Sequence, residues 1–142
     1  CSVVIIKPHA LTAGNAAGIM HALAQGSVAI TGLNVLHLDR TAAAEFLEVY
    51  RGVVPEYNGL IDHLASGPCL ALELKHAGAS AAPIVPHVRQ ICGPHDPAIA
   101  QALRPNTIRA RYGNDKVHNA VHCTDLAEDG MLESEYVFRI LQ

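Results

Sequence analysis

The sequence predicts an α+β domain of the ferredoxin-like, split βαβ class, a four-stranded antiparallel sheet covered by helices. Three observations predict it. Four short apolar runs, most of them rich in β-branched residues, stand at 2–8, 28–39, 67–75 and 119–123. Helical patterns fall between the first and second runs and between the third and fourth, which is the order a split βαβ sheet requires. A helical pair between the second and third runs, and a long excursion over 93–118, are insertions into that frame. The length of 142 residues suits one domain with one core across 1–142.

The first run, SVVIIKP, is expected to be a buried strand stopped by Pro8. NAAGIMHALAQG follows with Ile19 and Leu23 at helical spacing and Gly26 as a stop. VAITGLNVLHLD alternates apolar and polar residues and reads as the second strand, closed by Asp39. Thr41 is expected to cap the helix TAAAEFLEVYRG, with Glu45 in its first turn. Pro55 is expected to open the next helix, PEYNGLIDHLAS, before the third strand GPCLALELK. In AAPIVPHVRQICG the prolines at 83 and 86 confine the helical pattern to its later part. The excursion then reads as irregular except for a short helix in DPAIAQALRP. NAVHC is the fourth strand, and TDLAEDGMLESEYVF starts a closing helix capped by Thr124 or Asp125.

Composition narrows the function. Half of the residues are hydrophobic and 16% are charged, so the chain is built to fold rather than to stay disordered. A net charge of −3 offers no broad basic face, which argues against nucleic acid as the main partner. No apolar run approaches the roughly 18 residues of a membrane span, and no signal-peptide pattern is present. The start at Cys1 without Met is what a domain cut from a longer chain would show. Cys1, Cys69, Cys92 and Cys123 lack a C-x-x-C spacing and are expected to be free thiols of a reducing cytosol.

The polar groups point to a local anion site. Lys7 ends the first strand, where an ammonium can enter a cleft. Arg89, Arg104, Arg109 and Arg111 crowd into or beside the excursion in a chain with only ten Lys and Arg. Arginine suits phosphate because its planar fork gives two parallel hydrogen bonds and keeps its charge. Within NAVHCTD, His122 has three readings: a phosphate-accepting nucleophile, a metal ligand, or a packed histidine. A carboxylate such as Glu133 on one ring nitrogen would fix the tautomer and free the other nitrogen to attack. The metal reading would join His122 to His118, Cys123, and Cys92 or His95. On an extended segment, however, His118 and His122 stand about 13 Å apart, too far to share a zinc ion. The remaining histidines, His9 and His63 among them, show no partner pattern and read as fillers.

Over essentially its whole length the chain resembles the nucleoside diphosphate kinases. The resemblance rests on VVIIKPHAL, EFLEVYRG, SGPCLALEL and GPHDPAIAQALRPNTIRARYG leading to NAVHCTD, in that order. YRGVVPEY, RPNTIRARYG and NAVHCTDLAEDG look closest to the second kinase domain of a two-domain, cilium- and centrosome-associated branch, that of the seventh human member. The resemblance implies ping-pong transfer of a γ-phosphate from a nucleoside triphosphate to a diphosphate, with Mg²⁺ carried on the nucleotide phosphates and no zinc or organic cofactor. It puts His122 on the phosphate-accepting position, Glu133 on its orienting carboxylate, Tyr50 beside it and Thr124 on the adjacent hydroxyl. Lys7, Leu60, Arg89, Arg109 and Asn119 fall on nucleotide-binding positions. The excursion corresponds to the family's loop and helix over the nucleotide.

Departures from the family pattern carry expectations of their own. Glu56 follows Pro55 where the family stacks a phenylalanine on the base, so base binding is expected to move to Tyr57 or weaken. The turn between Tyr50 and Pro55 is two residues shorter than in common members. His95 replaces a phosphate-contacting threonine, and Cys123 replaces the glycine after the catalytic histidine. Two functions therefore stand side by side. One is an active kinase acting on ATP and other nucleotides. The other is a weak or inactive kinase fold that serves as an assembly module on microtubule or axonemal structures. A homo-oligomer or a paired kinase domain is expected, in the cytoplasm or on the cytoskeleton at the cilium or centrosome, with no membrane partner.

Overall fold

In the computed structural model, which describes residues 1–141, strand β1 (Ser2–Ile6) is buried along its whole length. It is central because it has a neighbour on each side: the strand order is β2-β3-β1-β4, with β2 (Val28–His37), β3 (Pro68–His76) and β4 (Val121–Cys123). Every pairing is antiparallel, as the ferredoxin-like split βαβ topology predicts. The shift between Ile30 and Gly32 marks an irregularity of the β2–β3 register.

Alternation across the pleat explains why β1 is apolar at every core position. Val4 and Ile6 join Leu70, Leu72 and Leu74 against one helical layer, α2 (Ala16–Gln25) and α5 (Ile84–Cys92). Val3 and Ile5 join Cys69 and Ala71 against the other layer, α3 (Arg40–Phe46) and α4 (Tyr57–Leu64). Each such aliphatic side chain contributes roughly 1.5–3 kcal/mol on burial, so both layers are tied to the strand that leads into Lys7.

Several boundaries differ from those predicted. Pro8 does more than stop a strand, because it also opens a short helix, α1 (Pro8–Thr12), with Lys7 as its N-cap. Asp39, not Thr41, caps α3, its Oδ1 accepting from the Ala42 N–H at 2.8 Å. That helix ends at Phe46, and a 3₁₀ turn carries Glu48–Tyr50. Pro55 stays in the preceding turn, and Glu56 is the N-cap of α4. The excursion holds two helices, α6 (Pro97–Leu103) and α7 (Ile108–Tyr112), where the sequence pattern predicts only the first. Neither Thr124 nor Asp125 caps the closing helix, because a 3₁₀ turn at Ala127–Asp129 intervenes before α8 (Gly130–Glu135). Thr124 is committed elsewhere: its hydroxyl accepts from the buried Val3 N–H at 2.9 Å. A π-helical turn, Tyr136–Ile140, follows α8.

Two backbone devices shape the region beside β4. Gly93 ends α5 at φ +86°, and a Cβ there would meet Thr107 Oγ1 at 2.4 Å, so only glycine fits. Ala120 has φ +75°, and the Val121 N–H donates to the Asn119 carbonyl at 3.0 Å across it. This is a strained γ-turn, and it shortens β4 and turns Asn119 and His122 toward the same space.

Candidate active site

A cleft of about 570 Å³ opens where β1 and β4 run out beside α4 and the excursion. Lys7, Arg89, Arg109, Asn119 and His122 line it, together with Tyr50, Leu60 and His95. Tyr57 is not among its lining residues; it packs against the core layer of α3 and α4. Thr124 and Glu133 lie behind His122 rather than in the wall.

His122 sits opposite Ile5 in the β1–β4 register, with its side chain 8% exposed. Its Nε2 is 2.8 Å from Glu133 Oε1, and a carboxylate accepts, so Nε2 carries the proton and Nδ1 keeps its lone pair. The Thr124 hydroxyl lies 3.2 Å from the same Oε1 and donates to it, so Thr124 orients the carboxylate instead of meeting a ligand. Phe46 packs edge-on to the imidazole at 4.9 Å between centroids, and Tyr50 does so at 6.3 Å. Phe46 went unnoticed in the sequence because nothing but its place in an apolar helix marks it.

The cations are held by backbone carbonyls. Lys7 Nζ donates to the Val117 carbonyl at 3.2 Å, and burial, with the Arg109 charge second, lowers its pKa to about 7. Arg109 donates from Nη1 to the Gly93 carbonyl at 2.8 Å and from Nη2 to the Val121 carbonyl at 2.9 Å. Arg104, which also lines the cleft, donates to Gln90 Oε1 at 2.6 Å. Arg111 lies away from the cleft, its guanidinium 5.1 Å from the centre of the Tyr112 ring. Arg89 donates to the Asp125 carbonyl at 3.1 Å, and the Tyr50 hydroxyl donates to Asp125 Oδ2. Asp125, which the sequence pattern marks only as a helix-cap candidate, lines the cleft.

Asn119 is fully buried and donates to the His95 carbonyl at 3.0 Å, while its Oδ1 has no hydrogen-bond partner. An unsatisfied buried acceptor at the cleft wall is ready to take a donor from a ligand. His9, read as a filler, accepts at Nε2 from the Ala120 N–H at 2.9 Å and so braces the γ-turn. Its ring is 5.2 Å from His63 and 5.5 Å from His118. Cys123 is buried at the cleft wall, and its thiol pKa is lowered, chiefly by a hydrogen bond with Cys92. Glu56 pairs with Lys116 at 3.6 Å, and neither is a lining residue of the cleft.

A nucleoside diphosphate kinase family model matches residues 1–141. The chain belongs to the nucleoside diphosphate kinase family. It is 46% identical over 141 residues to nucleoside diphosphate kinase homolog 7 of Rattus norvegicus and of Mus musculus. Those alignments cover 99% of this chain and 34% of each relative, so the chain spans about a third of their length. The match is to the branch that the sequence resembles. A nucleoside diphosphate kinase of Aquifex aeolicus is 32% identical over 99% of this chain and 95% of its own. A crystal structure of the Aquifex aeolicus kinase superposes with a TM-score of 0.87 at 31% identity, covering 96% of this chain and 93% of that one. The kinase of Encephalitozoon cuniculi, at 20% identity and a TM-score of 0.83, shares the fold. Family and fold together support a kinase-type, nucleotide-binding function.

Proposed function

We propose that this chain is a nucleoside diphosphate kinase domain that passes a γ-phosphate through a phosphohistidine at His122. The observation that carries this reading is the His122–Glu133 hydrogen bond of 2.8 Å behind a ring that faces a cationic cleft. Nδ1 attacks the γ-phosphorus, an N–P bond forms, and the P–O bond to the β-phosphate breaks as the diphosphate leaves. A second diphosphate then attacks the phosphohistidine, and its terminal oxygen takes the phosphoryl group. Glu133 stabilises the positive charge that grows on the imidazole in each half-reaction.

Lys7, Arg89 and Arg109 neutralise phosphate oxygens, which is most of what phosphoryl transfer asks of a protein. Asn119 Oδ1 accepts from a sugar hydroxyl, and Leu60 offers apolar contact. The substrate is the Mg²⁺ complex of the nucleotide. Among the described residues no three His, Cys, Asp or Glu are grouped to hold a metal ion. Phosphate transfer from ATP to GDP is expected with the unaltered chain and lost in His122→Ala. Exchange that persists in His122→Ala would reject the assignment.

One observation favours a second reading, an assembly module on a microtubule or axonemal structure with weak or no catalysis. Glu56 is engaged with Lys116 where the family stacks a ring, and Tyr57 faces the core. Leu33 at 55% and Val35 at 54% exposure on β2 offer a face to a second copy or a paired kinase domain. A cytoplasmic or cytoskeletal place would follow. An unaltered chain that never exchanges phosphate would favour this reading.

A further inference from the structure

Of the described residues that line the cleft, Asp125 alone carries a carboxylate. A cleft that gathers Lys7, Arg89 and Arg109 for a polyanion gains nothing from a negative charge in its wall, so the charge needs a reason. Asp125 leaves β4 two residues after Cys123 and meets two other lining residues. Its Oδ2 accepts from the Tyr50 hydroxyl, and its Oδ1 lies 3.8 Å from Arg89 Nη2. Its backbone carbonyl accepts from Arg89 Nη1 at 3.1 Å. Both arms of the guanidinium are therefore drawn to one residue, although the Arg89 side chain is 52% exposed and otherwise free to wander.

We propose that Asp125 is a positioning residue that holds Arg89 at the mouth of β4 and limits how tightly the cleft binds phosphate, so that the diphosphate product can leave. The proposal rests on the phosphate-transfer reading above. An incoming phosphate must compete with the carboxylate for Arg89 and must also approach a like charge, and both effects weaken binding. The Tyr50 hydroxyl is committed to Asp125 as a donor, which fixes the ring edge-on to His122 at 75°. Asp125 thereby acts on the nucleophile through Tyr50 and on the phosphate through Arg89, without touching the reacting atoms.

Asp125→Asn keeps the volume and an acceptor for Tyr50 while removing the charge. With Mg²⁺–GDP as probe in calorimetry on the whole chain, its dissociation constant is expected to fall by about fivefold, the order of one charge pair near 4 Å in a watery cleft. In turnover, KM is expected to fall as well, with kcat falling too because product is retained. A residue that merely supports the fold would give the opposite, weaker binding and a lower melting temperature. Weaker or unchanged GDP binding in Asp125→Asn, at an unaltered melting temperature, would overturn the proposal. In an Arg89→Ala chain the gain is expected to shrink, and an equal gain there would overturn the role of Arg89. Binding of GDP is read without catalysis, so a chain that binds GDP yet never forms a phosphoenzyme separates failure of the kinase reading from failure of this one.

Discussion

The Ala120 N–H donates to His9 Nε2 at 2.9 Å, which locks a strained turn immediately before the strand that carries His122. Ala120 is fully buried, so its N–H has no water to replace that acceptor. His9→Phe is expected to destabilise the chain by about 1–3 kcal/mol, the cost of an orphaned buried donor. A larger loss in kcat than in KM is expected with it, because the turn sets the position of His122. Denaturant unfolding and steady-state kinetics on the same preparation check both.

The same histidine shapes the pH dependence. His9 and His63 are each lowered from 6.5 to about 4, by burial first and then by the nearby His118. Over that window the unfolded chain binds more protons than the folded one, so stability rises with pH. Their contribution is complete above 6.5 and is lost as pH falls toward 4. Unfolding free energies measured from acid to neutral pH are expected to show this slope, and His63→Phe to flatten it.

Lys7 gives a separate signature. Its pKa is lowered from 10.5 to about 7, so the folded chain has released its proton across the range between. The unfolded chain keeps that proton there, and stability rises with pH from 7 to 10.5. A bound phosphate restores the ammonium, so nucleotide binding above neutrality is expected to take up a proton. Calorimetry in two buffers of different ionisation enthalpy measures it, and Lys7→Met is expected to abolish it.

Glu56 governs the rim. Replacing it by Phe removes the partner of Lys116 and offers a ring to the base. Tighter nucleotide binding is expected in Glu56→Phe, with the rate of phosphohistidine formation at saturating nucleotide unchanged. An unaltered dissociation constant would count against base contact at this position.

Much of this was legible in the sequence. The β-branched run at 2–6 and the apolar β3 marked the buried strands, and NAVHCTD marked the nucleophile candidate. Lys7, Arg89, Arg109 and Asn119 come together in one cleft, a grouping that the family resemblance implies and that residue type and spacing alone do not. What stayed hidden has physical causes. Helices α1 and α7 have five residues each, too short to show a helical period. A γ-turn at an alanine leaves no residue signal, because positive φ is usually announced by glycine or asparagine. His9 and Asp125 act through long-range contacts that no local spacing records. Tyr57 looked like a base-stacking ring, but its position in the first turn of α4 packs it against the core.

The most direct measurement is the intact mass of the chain after incubation with ATP and Mg²⁺, repeated after addition of GDP. The account predicts a gain of one acid-labile phosphoryl group on His122 and its loss when GDP is added. A chain that folds and binds nucleotide but never gains that mass would contradict it.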